Sequence, residues 1–106
     1  MTKFKVYLDD VRQTPAGWLR LVRAEDVLTL LRANLVEEIS LDHDLGEFSF
    51  DNEENDLAKP HDGSWLVRQI AEDVYNEVYK LPKWNVHSAN PVGANRMKAS
   101  LKALEQ

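Results

Sequence analysis

Residues 39–46, Ile-Ser-Leu-Asp-His-Asp-Leu-Gly, constrain the fold of this chain most strongly. The first part of this stretch predicts a buried strand, and an Asp-His-Asp run follows it at once. Ionisable groups beside an apolar strand are costly to bury unless they are paired, bind a metal or take part in chemistry. Two further polar clusters, at residues 9–10 and 87–91, also follow short apolar runs directly. We therefore expect all three clusters to meet at one edge of a sheet.

Alternating strand and helix patterns predict an α/β fold. Strand patterns occur at residues 4–8, 18–23, 39–41 and 84–88, and helical patterns occur at residues 24–34, at residues 64–79 and from residues 90–91 to near the C-terminus. Pro15 and Gly17 predict a loop rather than a helix after the first strand. This alternation favours parallel strands joined by right-handed crossovers. We expect an open, three-layer parallel sheet of about four strands in the order 2-1-3-4.

Length and composition limit the classes of function. A chain of 106 residues is expected to form a single domain over residues 1–106, and it has no apolar run long enough for a transmembrane helix. Its N-terminus enters a strand pattern without the apolar segment of a signal peptide. The absence of cysteine excludes thiolate chemistry and suits a cytoplasmic location, and no membrane partner is expected. The net charge of −5 argues against a general nucleic-acid coat.

Charge is distributed unevenly along the chain. Residues 42–62 hold eight acidic residues against one basic residue, Lys59, whereas residues 80–106 hold five basic residues against one acidic residue. We interpret residues 46–62 as an acidic loop insertion, because this connection is longer than usual. One explanation is solvated surface charge. The other is a surface that binds a protein partner.

The carboxylates of Asp9, Asp10 and Asp42 are candidate metal ligands. In the predicted strand order they follow neighbouring strands, whose axes lie about 5 Å apart. Mg²⁺ prefers oxygen ligands, so we expect Mg²⁺ or another divalent metal at this position. Asp10 has a structural alternative, in which it opens a turn. Asp44 is expected to support the site, either by capping the following loop or by orienting His43.

Two histidines follow adjacent strands and, with Asp42, are candidate catalytic residues. A neutral and a protonated imidazole, at His43 and His87, would form a general base and a general acid near neutral pH. That pair suits cleavage of a phosphodiester without a covalent enzyme intermediate. The alternative for each histidine alone is a hydrogen-bonded structural role. His61 precedes a helix and is expected to be structural or peripheral.

The polar residues around the start of the last helix are candidate phosphate ligands. Ser88 and Asn90 supply donors, and the free N–H groups and dipole of a helix N-terminus favour an anion. Arg12 and Arg96 are candidates to neutralise the phosphate charge. For Asn90 the alternative is simple helix capping before Pro91, which is compatible with anion binding. The chain has no glycine-rich phosphate loop, nucleophile elbow or zinc-ligand spacing.

Three motifs carry a resemblance to a known family. They are Leu8-Asp9-Asp10-x-Arg12, Leu41-Asp42-His43-Asp44-Leu45-Gly46 and Val86-His87-Ser88-x-Asn90-Pro91-x-Gly93. The acidic pair and the strand before Asp42 resemble receiver domains of response regulators, although no fifth strand with a lysine follows and residues 12–17 replace the first helix. Together, and over nearly the whole chain, the motifs resemble the cyclic-phosphate-processing receiver domains. The resemblance implies a truncated receiver or flavodoxin-like fold and a role on cyclic phosphates of RNA ends or nucleotides.

Three functional hypotheses follow. The first is a metal-assisted phosphoesterase that acts on cyclic or terminal phosphates of nucleotides or RNA ends. The second is a non-catalytic signalling or interaction module derived from a receiver, although the two histidines and the missing lysine argue against ordinary phosphotransfer. The third is a small protein of phage or mobile-element origin whose acidic loop binds a host partner.

Overall fold

The predicted strands form one parallel sheet. A computed structural model of the chain describes residues 3–43 and 61–105. The strands are β1 (Phe4–Leu8), β2 (Leu19–Leu21), β3 (Val36–Leu41) and β4 (Lys83–Val86). All pairings are parallel and the order is β2-β1-β3-β4, which confirms the predicted sheet. Leu8 pairs with Leu41, and Leu41 pairs with Val86, so the residues after these three strands start at one level of one sheet edge.

Three helices lie on one face of this sheet. They are α1 (Ala24–Arg32), α2 (Gly63–Tyr75) and α3 (Pro91–Ala103). The crossovers from β2 to β3 and from β3 to β4 run in the same direction, so right-handedness puts α1 and α2 on the same side, and α3 packs beside α2. The core fills the space between. Its buried side chains include Val6, Leu8, Ile39, Leu41 and Val86 from the strands and Val27, Leu31, Leu66, Ile70, Met97 and Leu101 from the helices.

Within the described part of the chain, the second face of the sheet is covered by a loop instead of helices. The connection from β1 to β2 runs in the opposite direction, and a right-handed crossover there passes over the second face. In the described residues this connection is a loop rather than a helix, as Pro15 and Gly17 predict, and Gly17 has a φ of 88°. Trp18 at the end of the loop packs edge-on against Tyr7, with ring centroids 6.2 Å apart. The third layer is therefore a loop with an aromatic anchor.

Helix α2 ends at Tyr75, so the prediction that it continues to residue 79 was wrong. The N–H of Val78 donates to the carbonyl of Asp73, and the N–H of Glu77 donates to the carbonyl of Val74. These are the two bonds of a Schellman motif, and Glu77 takes its left-handed position with a φ of 60°. The apolar repeat misled the prediction because it continues to Val78, which is 51% exposed.

Smaller differences occur at other boundaries. β3 begins at Val36 rather than at residue 39, because Val36 is buried and pairs with Phe4. The glutamates that follow it belong to the strand, with Glu37 exposed. α1 ends at Arg32, before Asn34, whose φ is 61°.

Side chains cap the starts of α2 and α3, and the capping role predicted for Asn90 is confirmed. Asp62 Oδ1 accepts a hydrogen bond from the N–H of Trp65 at 2.8 Å, and Asn90 Oδ1 accepts one from the N–H of Gly93 at 3.0 Å. Pro91 stands in the first turn of α3. Asp44 and residues 46–60 of the predicted acidic loop lie outside the described residues. Within residues 3–43 and 61–105, no helix is both long and apolar enough to span a bilayer.

Candidate functional site

The sheet edge brings three buried carboxylates together. Asp9 and Asp10 follow β1, Asp42 follows β3, and their exposed fractions are 0%, 6% and 5%. One carboxylate oxygen of each side chain lies within 4.8 Å of the others. The predicted metal ligands thus form one cluster that could hold a metal ion.

Asp9 accepts four hydrogen bonds. Its Oδ1 accepts from the backbone N–H groups of Val11 at 2.8 Å and Arg12 at 2.9 Å, and its Oδ2 accepts from Arg12 Nη1 at 2.9 Å. His87 Nε2 lies 3.0 Å from the same Oδ2. Burial alone would raise the pKa of Asp9, but the bonds from the backbone and side chain of Arg12, from the backbone of Val11 and from His87 lower it from 3.8 to about 2. A carboxylate has about four lone-pair positions, so Asp9 is an ionised acceptor with its positions filled.

Arg12 is shared between two of the carboxylates. Its Nη1 lies 3.7 Å from Asp42 Oδ2 as well as 2.9 Å from Asp9 Oδ2, and its side chain is 38% exposed. Burial, and then the negative charge of Asp9, raise the pKa of Asp42. A hydrogen bond from Ser88 and the charges of Arg12 and His87 oppose that rise. Arg12 is therefore a counter-ion of the cluster that also reaches the solvent.

His87 is held at both ring nitrogens. Nε2 lies 3.0 Å from Asp9 Oδ2, and Nδ1 lies 2.7 Å from Ser40 Oγ. Because the ionised Asp9 can only accept, Nε2 carries a proton, and Nδ1 accepts from the Ser40 hydroxyl in the neutral ring or donates to it in the protonated ring. The Tyr7 ring stacks on the imidazole with centroids 4.3 Å apart and planes 2° from parallel. A proton transfer by His87 requires one of these two hydrogen bonds to break.

The prediction from sequence missed Ser40 and Tyr7. The strand register pairs Tyr7 with Ser40 and Ser40 with Asn85, so these side chains share the second face of the sheet. Ser40 is small enough for the rings of Tyr7 and His87 to meet across the central strand. The sequence signal that could have identified Ser40 is a polar residue between the apolar strand residues Ile39 and Leu41, and the structure shows that it is buried.

His43 lies between the starts of two helices. Its carbonyl accepts a hydrogen bond from the N–H of Gly63 at 2.9 Å, and its ring packs against Gly93 in the first turn of α3. The residue is half-buried, unlike the fully buried Asp9. His61 is exposed, and its ring stacks on that of Trp65 with centroids 3.9 Å apart.

The predicted phosphate ligands already take part in internal hydrogen bonds. Ser88 Oγ accepts from the N–H of Asn90 at 3.1 Å, and Asn90 Oδ1 accepts from the N–H of Gly93 at 3.0 Å. Pro91 has no N–H, so the cap uses much of the donor capacity at the start of α3. Arg96 is exposed one turn further along the helix.

The donor set fits a small divalent cation chemically, because carboxylate oxygens are the ligands that Mg²⁺ prefers. The four hydrogen bonds to Asp9 and the guanidinium of Arg12 already balance part of the negative charge. A cation that used Asp9 as a ligand would therefore replace at least one of these contacts. Asp42 lies farther from Arg12, at 3.7 Å, so a cation bound to Asp42 would replace a weaker contact with that arginine.

Comparison with known proteins identifies the family. The model of a family described as the Cyclic-phosphate processing Receiver domain matches residues 4–103. No curated protein and no solved structure gives a match. The matched region contains all four described strands, the three helices and the three polar clusters. This chain therefore belongs to the cyclic-phosphate processing receiver domain family.

Proposed function

We propose that this protein is a phosphoesterase that acts on cyclic or terminal phosphates of nucleotides or RNA ends. The observation that carries the proposal is the cluster of three buried carboxylates, with Arg12 and His87 bonded to it, at the carboxyl edge of a parallel sheet. Open α/β sheets bind their ligands at this edge. The name of the family adds support for a cyclic-phosphate substrate.

The proposed reaction consumes one water. A water oxygen bonds to phosphorus, and one bond between phosphorus and a ribose oxygen breaks. One proton leaves the water, and one proton joins the departing oxygen. We assign the first transfer to His43, which is half-buried at the rim, and the second to the protonated imidazole of His87, whose Nε2 proton faces Asp9. His87 delivers this proton only after its bond to Asp9 opens.

Arginine side chains would balance the phosphate charge in this proposal. Arg12 is partly exposed beside the carboxylates, and Arg96 is exposed on α3. Guanidinium groups suit phosphate because their donors form a planar fork. The Ser88 hydroxyl would exchange its hydrogen bond to Asp42 for one to the phosphate, and the N–H of Asn90 would exchange its bond to Ser88 Oγ for another.

We also propose Mg²⁺ or another divalent metal as a cofactor. The residues that would hold it are Asp9, Asp10 and Asp42. A bound divalent cation would neutralise charge on the phosphoryl oxygens. The lack of cysteine suits a cytoplasmic location, which we propose as well.

The test is incubation with 2′,3′-cyclic mononucleotides and with oligonucleotides that carry a terminal phosphate, with Mg²⁺, with Mn²⁺ and with EDTA. We expect turnover to fall about 100-fold or more in His43→Ala, as is typical for loss of an acid–base group. His61→Ala is the matched control and keeps full turnover, because His61 stacks on Trp65 rather than on the cluster. Absence of turnover under every condition refutes the proposal.

One observation favours a second candidate function. Ser88, Asn90 and both ring nitrogens of His87 are engaged in internal hydrogen bonds. That pattern suits a non-catalytic receiver-derived module that binds a phosphoryl group or a partner without turnover. Stable labelling of Asp42 by acetyl phosphate, lost in Asp42→Asn and without nucleotide turnover, would favour this function.

A protein partner for the acidic loop, and an origin in a phage or mobile element, are separate proposals. They depend on the acidic composition of residues 46–62. Deletion of residues 51–56 would abolish partner binding while leaving phosphoesterase turnover intact. Loss of turnover on this deletion would argue against a separate binding role for the loop.

A further inference from the structure

His43 is held by the first turns of two helices. At α2, the N–H of Gly63 donates to the His43 carbonyl at 2.9 Å. At α3, the imidazole lies against the backbone of Gly93. One contact fixes the peptide of His43, and the other fixes its ring.

Gly93 leaves the space that the imidazole fills. A Cβ at this position would lie 2.5 Å from Cγ and 2.8 Å from Nε2 of His43, and it would also meet Cδ2. Real carbon atoms do not approach to such distances, so any larger residue at 93 forces the ring to leave its place.

Backbone conformation does not explain a glycine at this position. Gly93 lies in α3 and is buried, and the described glycine with a positive φ is Gly17. Glycine also weakens a helix relative to alanine, because it loses more conformational freedom on folding. Room for the side chain of His43 is therefore the physical reason for Gly93.

We infer that Gly93 is a positioning residue that sets the imidazole of His43 against the first turn of α3. Its part in turnover rests on the proposed function, whereas its effect on the ring does not. Gly93 makes no bond in the reaction and acts through His43 alone.

Gly63 provides the matched control, because a Cβ there would conflict with the backbone of Asp42 and the side chain of Met97 rather than with His43. A Cβ on Gly63 would meet the carbonyl oxygen of Asp42, lie 3.0 Å from the carbonyl carbon of that residue and lie 2.8 Å from Cε of Met97. None of these atoms belongs to the side chain of His43. Shortening that side chain relieves the conflict at Gly93 and leaves the conflict at Gly63.

The experiment is a double-mutant cycle on thermal stability. Gly93→Ala should lower Tm by about 5 °C or more in the parent protein, since it expels a packed ring. In the His43→Ala protein the same substitution should leave Tm unchanged or raise it, because alanine favours the helix. Gly63→Ala should lower Tm in both backgrounds. Equal losses for Gly93→Ala in the two backgrounds, or rescue of Gly63→Ala by His43→Ala, would overturn the inference.

Two further measurements separate positioning from general stability. The imidazole resonances of His43 should shift in folded Gly93→Ala, while those of His61 stay in place. If the parent protein turns over a cyclic nucleotide, kcat of Gly93→Ala should fall toward that of His43→Ala. Unshifted His43 resonances would overturn the inference. If the parent protein shows no turnover, the proposed function is overturned instead. The double-mutant cycle on thermal stability then still tests the role of Gly93.

Discussion

Two buried aspartates are each paired with a partly exposed arginine, and they differ in their surroundings. Asp73 on α2 accepts from Arg32 Nε at 2.9 Å and Nη2 at 3.1 Å, which fastens α2 to α1. Asp9 accepts from Arg12 but shares it with Asp42 inside a cluster of three carboxylates. One arginine for one carboxylate forms a structural link. One arginine shared by two carboxylates gives each of them less positive charge, which a cation or the donors of a ligand can supplement.

Replacing each carboxylate with an amide should separate the two pairs most strongly. Asp9→Asn removes the charge that accepts four hydrogen bonds at full burial, although it also relieves repulsion with Asp42. We expect it to lower the free energy of unfolding by about 2–4 kcal/mol. Asp73→Asn should cost about 1–2 kcal/mol, because Arg32 is half-exposed and can be rehydrated. Urea unfolding followed by tryptophan fluorescence measures both. A larger loss for Asp73→Asn would contradict the comparison.

Replacing each arginine tests the role of its positive charge directly. Arg12→Gln leaves Asp9 and Asp42 without the guanidinium that they share and should cost about 2 kcal/mol, whereas Arg32→Gln should cost about 1 kcal/mol. Millimolar Mg²⁺ or Ca²⁺ should raise the Tm of Arg12→Gln by a few degrees, about 1 kcal/mol, and leave Arg32→Gln unchanged. Differential scanning calorimetry with and without EDTA measures the shift. The same cation effect on both variants would mean that the cluster is no more selective for cations than the structural link.

The sequence was sufficient to predict the convergence of Asp9, Asp10 and Asp42. Apolar runs followed at once by acids mark strand ends, and parallel topology gathers such ends at one edge. The caps at Asp62 and Asn90 were also predictable, because side-chain capping depends on residues close in the sequence.

Contacts that cross the sheet could not be predicted in this way. The stack of Tyr7 on His87 and the bond from Ser40 to that ring depend on the register of three strands. Sequence patterns specify which residues lie in strands, but register depends on packing in three dimensions. The prediction of where α2 ends was wrong because Glu77 adopts the left-handed conformation that usually favours glycine, so the sequence carries no glycine signal there.

Acid pH should weaken the Asp9 region selectively. The pKa of Asp9 is about 2 in the folded chain against an ordinary value of 3.8, so its contribution is present above pH 3.8 and is lost as pH falls through 2. The contribution is about 2 kcal/mol. Asp42 acts with the opposite sign, because its pKa is raised and its ionisation costs stability as pH rises above 3.8. Unfolding free energies between pH 5 and pH 2 should fall less steeply in Asp9→Asn than in the parent protein. Parallel curves for the two proteins would show that Asp9 is not the group responsible.

Alkaline pH should lower the stability of the Asp73 region through Tyr79. The substitution that tests this should have the smallest effect of those considered at neutral pH. Burial, and then the adjacent Asp73 carboxylate, raise the pKa of Tyr79 above its ordinary value of 10.0. The unfolded chain loses this proton first, so the stability that Tyr79 contributes is present below pH 10 and is lost as pH rises through its folded pKa. Tyr79→Phe should change stability at pH 7 by less than about 1 kcal/mol and should flatten the decline above pH 10. Tyr75→Phe is the matched control, because Tyr75 is 85% exposed, and it should keep the slope of the parent protein. If unfolding free energy declines above pH 10 as steeply in Tyr79→Phe as in the parent protein, Tyr79 is not the group responsible for the alkaline loss of stability.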